Sequence, residues 1–100
     1  MDTRQKIVPA LPPGCDVVEG YFDPLLAEQA AAIAAQKRAR PLGVVIRDPA
    51  DPLLDSRARA ELVAALASVD YVTIGGEVRG VWIKQDREGF QRRIRARHGR

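Results

Sequence analysis

Asp16-Val17-Val18-Glu19-Gly20-Tyr21-Phe22-Asp23-Pro24-Leu25 carries the main clue to the fold. Its first five residues read as a short strand. Asp23 is a good helix N-cap, and Pro24 suits the first helical position, where its missing N–H costs nothing. A helix is predicted from Leu25 to about Arg38, with Leu26, Ala30, Ile33 and Ala34 as its apolar stripe. Lys37, Arg38 and Arg40 suit its C-terminal end, and Pro41 stops it.

Downstream the pattern repeats. Leu42-Gly43-Val44-Val45-Ile46 is nearly continuous apolar sequence, which suits a strand buried on both faces of a parallel sheet. Asp48-Pro49-Ala50-Asp51-Pro52 is a loop by composition. A second helix is predicted from Asp55 or Ser56 to Ser68. Its core stripe would be Leu62, Leu66 and Val69, with Arg57, Arg59 and Glu61 on its surface. Tyr71-Val72-Thr73-Ile74 reads as a third strand, ended by Gly75-Gly76. The expectation is an α/β fold, a Rossmann-like three-layer β-α-β-α-β parallel sheet. A short extra strand within Val78 to Lys84 and a C-terminal helix from about Arg87 to Arg97 complete it. Residues 1–15 hold Pro9, Pro12, Pro13 and Gly14 and read as an extended arm, with a short edge strand at Lys6 to Val8. Residues 16–100 then form a single domain.

Composition narrows the function classes. The chain has 100 residues, 46% hydrophobic and 29% charged, as in an ordinary globular domain. Ala30 to Ala35 is too short to span a bilayer, and Met1 to Lys6 lacks the apolar stretch of a signal peptide, so a cytoplasmic location without membrane partners is expected. The single cysteine, Cys15, excludes an internal disulfide, and no His/Cys cluster offers a metal site. The net charge of +3 is uneven, with eight basic residues against Asp86 and Glu88 from Arg79 onward.

A strand ending in Gly-x-Phe-Asp-Pro-Leu that opens an Ala-rich helix resembles the nucleotidyltransferase (cytidylyltransferase-like) superfamily. Its signature is Gly-x-Phe-Asp-x-x-His-x-Gly-His. Gly20, Phe22 and Asp23 match, whereas Leu26, Glu28 and Gln29 stand where the first His, the Gly and the second His belong. Arg59-Ala60-Glu61-Leu62-Val63-Ala64-Ala65-Leu66 with Val69-Asp70-Tyr71-Val72 is similar to the heptose-phosphate adenylyltransferase branch. The resemblance covers about residues 16–74. The family's later triphosphate-binding elements are missing, and no Ser or Thr follows Ile74.

The resemblance implies attack of a substrate phosphate on a nucleoside triphosphate, a reaction that depends on positioning and charge stabilisation. The substitutions remove that machinery. Leu26 donates nothing, and Gln29 donates only a neutral hydrogen bond. Glu28 brings a carboxylate to a phosphate-binding turn, where like charges about 4 Å apart cost about 4 kcal/mol at an effective dielectric near 20. The expected function is therefore a degenerate, non-catalytic domain acting as a binding or interaction module. It would need no cofactor, and its partner would be a second copy or another protein. Any residual nucleotide binding would fall to Gly20, Tyr21, Phe22, Asp23, Gln29 and Arg59. The structural reading of Gly20 to Asp23 (strand end, core aromatic, helix cap) carries more weight. One alternative is an active or weakly active nucleotidyltransferase, moving a cytidylyl or adenylyl group to a phosphorylated substrate, in which Gln29 works with Arg57 or Arg59. Another is nucleic-acid binding by the basic segment Arg92 to Arg100. That segment lacks interleaved aromatics, and a solvated helix face and tail is the expectation. Trp82 reads as a core or interface residue.

Overall fold

The computed structural model describes residues 2–85. Its elements are β1 (Asp16–Gly20), α1 (Ala27–Ala35), β2 (Leu42–Ile46), α2 (Ser56–Ala64), β3 (Tyr71–Ile74) and β4 (Val81–Trp82). The four strands form one all-parallel sheet in the order β3-β2-β1-β4. All five residues of β2 are buried, as its apolar run demands of an inner parallel strand.

Register and alternation sort the side chains between two faces. Val18, Val44 and Val72 are aligned neighbours. With Leu42 and Ile46 they share a buried cluster with Ile33 of α1 and Ala60, Val63 and Ala64 of α2. Both helices thus pack on this face. The intervening residues Glu19, Val45 and Thr73 belong to the other face, which two irregular segments cover. One is the N-terminal arm, where Thr73 Oγ1 donates to the Pro9 carbonyl at 3.1 Å. The other comprises residues 75–80, a six-residue strap leading from β3 to β4. Strands spaced about 4.8 Å apart put some 14 Å between β3 and β4, which six extended residues span without a helix. The described residues therefore show a parallel α/β sheet with helices on one side only. The predicted C-terminal helix, 87–97, lies outside the described residues.

Charge fastens the strap. Glu19 is nearly fully buried, and its carboxylate accepts hydrogen bonds from Arg47 Nε at 3.1 Å, Arg79 Nη1 at 3.2 Å and Gly80 N at 2.7 Å. Arg47 also donates to the Gly76 and Val78 carbonyls. A Cβ on Gly80 would overlap the Val17 carbonyl, so the strap approaches β1 too closely for any larger residue.

Several sequence expectations are corrected. Helix α1 starts at Ala27, with Leu26 at its N-cap position making no side-chain cap, because the Asp23 carboxylate serves Leu53 N and Leu54 N instead. It ends at Ala35, and Lys37 beyond it reaches Asp70 at 2.6 Å. Ala34 is exposed, and Gln29 is buried in its stead. In α2, Leu62 is 45% exposed, whereas Arg59 is fully buried beside Ala60, Val63 and Ala64. Small alanines let that face approach the sheet closely, and the helix ends at Ala64 rather than Ser68. Helix α2 starts where expected, at Ser56, with Asp55 as its N-cap accepting from Ala58 N at 2.7 Å. The arm is not extended throughout, because Thr3–Lys6 forms a 3-10 turn capped by Asp2. Its expected edge strand is reduced to one parallel bridge, Ile7 with Val72. The extra strand shrinks to Val81–Trp82.

Burial pushes the Glu19 carboxyl up, but the Gly80 N–H and the Arg79 and Arg47 guanidinium groups outweigh it, so the net shift is downward from 4.5. The Lys37 ammonium and the Leu42 N–H hold Asp70 below 3.8. A depressed folded value contributes stability above the unfolded value and loses it as pH falls through the folded one. Urea midpoints should therefore hold from about pH 7 to about pH 5 and decline at lower pH, with Glu19→Gln flattening part of that decline. An acid limb unchanged in Glu19→Gln would remove Glu19 from this account. Glu19→Ala should cost about 3 kcal/mol, because it strands a largely buried Arg47.

Candidate functional site

In open parallel sheets, ligands bind outside the carboxyl ends of the strands, where the strand order reverses. The order β3-β2-β1-β4 puts that point between β1 and β4. The turn that follows β1 there contains the residues the sequence singled out.

Gly20 closes β1. A Cβ on it would come within 2.9 Å of Phe22 Cζ and 3.0 Å of the Ile83 carbonyl, so the glycine serves a close internal approach. Phe22 has a φ of 49°, an uncommon conformation for a residue with a side chain. Its fully buried ring, set in the core cluster, offsets that cost. Tyr21 meets Trp82 edge to face with ring centroids 5.0 Å apart. The Asp23–Pro24 peptide is cis. The buried Asp23 carboxylate accepts from Leu53 N at 2.7 Å and Leu54 N at 2.8 Å, fixing the chain just before the cap of α2.

Arg59 reaches the same place from α2. Its Nε donates to the Leu54 carbonyl at 3.0 Å, and its Nη1 to the carbonyls of Tyr21 at 3.0 Å and Arg47 at 2.8 Å. Its Nη2 meets Asp48 Oδ1 at 2.6 Å. The Arg59 side chain is 1% exposed while that of Asp48 faces solvent. This guanidinium ties together the ends of β1 and β2 and the loop between β2 and α2. Arg57, the other arginine considered, is exposed and pairs with Glu61 at 3.7 Å.

The motif positions do not converge on an open cleft. Leu26 is half-buried, and Glu28 points into solvent from the first turn of α1. Gln29 is buried and donates from Nε2 to the Lys84 carbonyl at 3.2 Å. Its Oε1 is buried without a hydrogen-bond partner among the described residues. Residues 83–85 run along this end of β1, with Ile83 N donating to the Glu19 carbonyl at 2.9 Å. Gln85 Oε1 accepts from Asp23 N at 2.7 Å, and Gln85 Nε2 donates to the Pro24 carbonyl. The structure thus brings Gly20, Tyr21, Phe22, Asp23, Gln29 and Arg59 to one end of the sheet and engages the Asp23 carboxylate, the Gln29 Nε2 and the Arg59 guanidinium internally.

Sequence reasoning missed Glu19, Arg47 and Gln85. A carboxylate inside the short strand of Asp16–Gly20, and an arginine directly after the apolar run of β2, are the available signals for the first two. Nothing local marks Gln85, whose partners lie more than 60 residues away. Among the described residues, no group of three or more His, Cys, Asp or Glu could hold a metal ion. No described helix is long and apolar enough to cross a membrane. Cys15 is free and half-buried.

No protein-family model matches the chain, and no curated protein matches it.

Arg59→Lys should destabilise the protein by about 3 kcal/mol in urea unfolding, nearly as much as Arg59→Ala. An ammonium cannot reproduce a planar fork that serves Leu54, Tyr21, Arg47 and Asp48 together. A lysine variant within about 0.5 kcal/mol of the parent would refute this clamp role.

Proposed function

We propose that this chain is a degenerate nucleotidyltransferase-like domain of Rossmann-like descent that works as a binding or interaction module rather than as a catalyst. One observation carries the reading: the side-chain donors at the motif, those of Gln29 and Arg59, are spent on the fold. Arg59 makes four internal hydrogen bonds. Gln29 is buried against the Lys84 carbonyl, and Asp23 holds Leu53 and Leu54. Transition-state stabilisation needs donors preorganised toward the reacting group. Side chains committed to carbonyls of their own chain do not supply them. The same geometry weighs against the weakly active transferase, because Gln29 and Arg59 are the residues it would employ.

The partner in this reading is a second copy or another protein in the cytoplasm. Exposed Val78, Val81 and Trp82, close together around β4, offer apolar surface for it. The basic segment from Arg92 lies outside the described residues, and nucleic acid has no support from them.

Purified protein supplied with ATP or CTP and a sugar phosphate or alcohol phosphate should release no pyrophosphate above a protein-free control. Release that scales with protein concentration would overturn the non-catalytic reading. In thermal-shift assays, the Leu26→His, Glu28→Gly, Gln29→His triple variant should gain stabilisation by ATP or CTP that the parent lacks. Equal stabilisation of the parent would show that its site still takes nucleotides.

A further inference from the structure

At the end of β1, Gln85 marks the chemistry that the turn can bind. Its carboxamide lies against one turn of backbone and makes two reciprocal hydrogen bonds there. Asp23 N–H donates to its oxygen, and the Pro24 carbonyl accepts from its nitrogen. A donor and an acceptor presented side by side by adjacent residues are complementary to any planar group carrying an acceptor next to an N–H. A primary carboxamide is the simplest such group, and the amino edge of a cytosine-type ring presents the same pair.

We infer that the Asp23–Pro24 turn is a carboxamide-recognition site that the chain's own Gln85 occupies, and that a planar amide or amidine ligand binds there by displacing the Gln85 side chain. Four further features fit. The site lies at the strand-order reversal of a parallel sheet, where ligands of such sheets bind. The turn is rigidly held, because the Asp23 carboxylate is fixed by Leu53 N and Leu54 N, and Arg59 holds the Tyr21 carbonyl. Beside the same segment, Gln29 Oε1 is buried with no donor among the described residues, while its Nε2 binds the Lys84 carbonyl. Gln85 itself is half-buried, and the neighbouring Lys84 and Trp82 are exposed.

A tethered side chain competes at an effective concentration of at least millimolar order, and two hydrogen bonds give a free amide only weak affinity. The site should therefore look closed in the parent and open once Gln85 is shortened. This inference rests on the binding-module reading, but it fails by a different signal. Pyrophosphate release tests catalysis, whereas the present test follows the Asp23 amide.

The full chain and its Gln85→Ala variant are titrated with nicotinamide while the Asp23 backbone amide resonance is followed by NMR. N,N-dimethylnicotinamide, which lacks the N–H donor, is the control. Cytidine and N4,N4-dimethylcytidine form a second pair that reports whether a nucleobase edge is an equivalent source of the group. A saturable Asp23 shift with nicotinamide in Gln85→Ala, at least about tenfold tighter than in the parent and absent with the dimethyl compound, supports the site. No saturable shift in the folded variant overturns it, and so does equal response to the dimethylated control. If Gln85→Ala does not fold, Gln85→Glu is read the same way, since its second oxygen cannot donate to Pro24. Loss of fold in both variants would make Gln85 a purely structural clasp and would also overturn the proposal.

Discussion

A guanidinium taken out of water must find acceptors for nearly all its N–H groups, and Arg59 finds them in three different parts of the chain. The Tyr21 carbonyl lies just past β1, the Arg47 carbonyl and Asp48 just past β2, and the Leu54 carbonyl just before α2. Satisfying one buried side chain therefore fixes how two neighbouring strands end relative to each other. Asp23 reinforces the arrangement by capping Leu53 and Leu54 from the opposite direction. With the loop pinned, Asp55 is placed to start α2, and α2 carries Arg59 back to the cluster. The arrangement closes on itself, so a change at any one member is felt at the others.

On the other face of the sheet, a second buried charge does a similar job by different means. Glu19 collects Arg47, Arg79 and the Gly80 amide, and Arg47 passes the connection on to the strap carbonyls. Arg47 is where the two systems meet. Its side chain serves Glu19 and the strap, while its carbonyl serves Arg59.

The three principal strands are legible in the sequence to the residue, because short apolar runs bounded by Pro, Gly and charge leave little freedom. The helices are less so. Of the expected stripe, Val69 and the partly buried Leu66, both just beyond α2, pack on the core, but Leu62 faces solvent and within α2 the sheet receives Ala60, Val63 and Ala64, whose small side chains allow a close approach. Size misleads where closeness decides. At the site, Asp23 is expected to cap the helix that follows it, but its carboxylate takes the amides of Leu53 and Leu54, some 30 residues away and beyond any local rule. Gln85 and the burial of Arg59 are invisible for the same reason. Each depends on partners brought together only by the crossing of the chain, and spacing along the sequence carries no trace of them.

The strap between β3 and β4 has a consequence of its own. A crossover helix would have attached the last strand through buried apolar area, whose strength depends chiefly on temperature. Here the attachment relies heavily on a carboxylate, two guanidinium groups and a few carbonyls, and one of those guanidinium groups, Arg79, is largely exposed. Protons weaken such contacts, and salt screens the exposed Arg79 among them, while both leave an apolar core nearly untouched. The molecule thus joins two regions governed by different variables. The body of the sheet answers to heat, and its β4 border answers to the ionic composition of its surroundings.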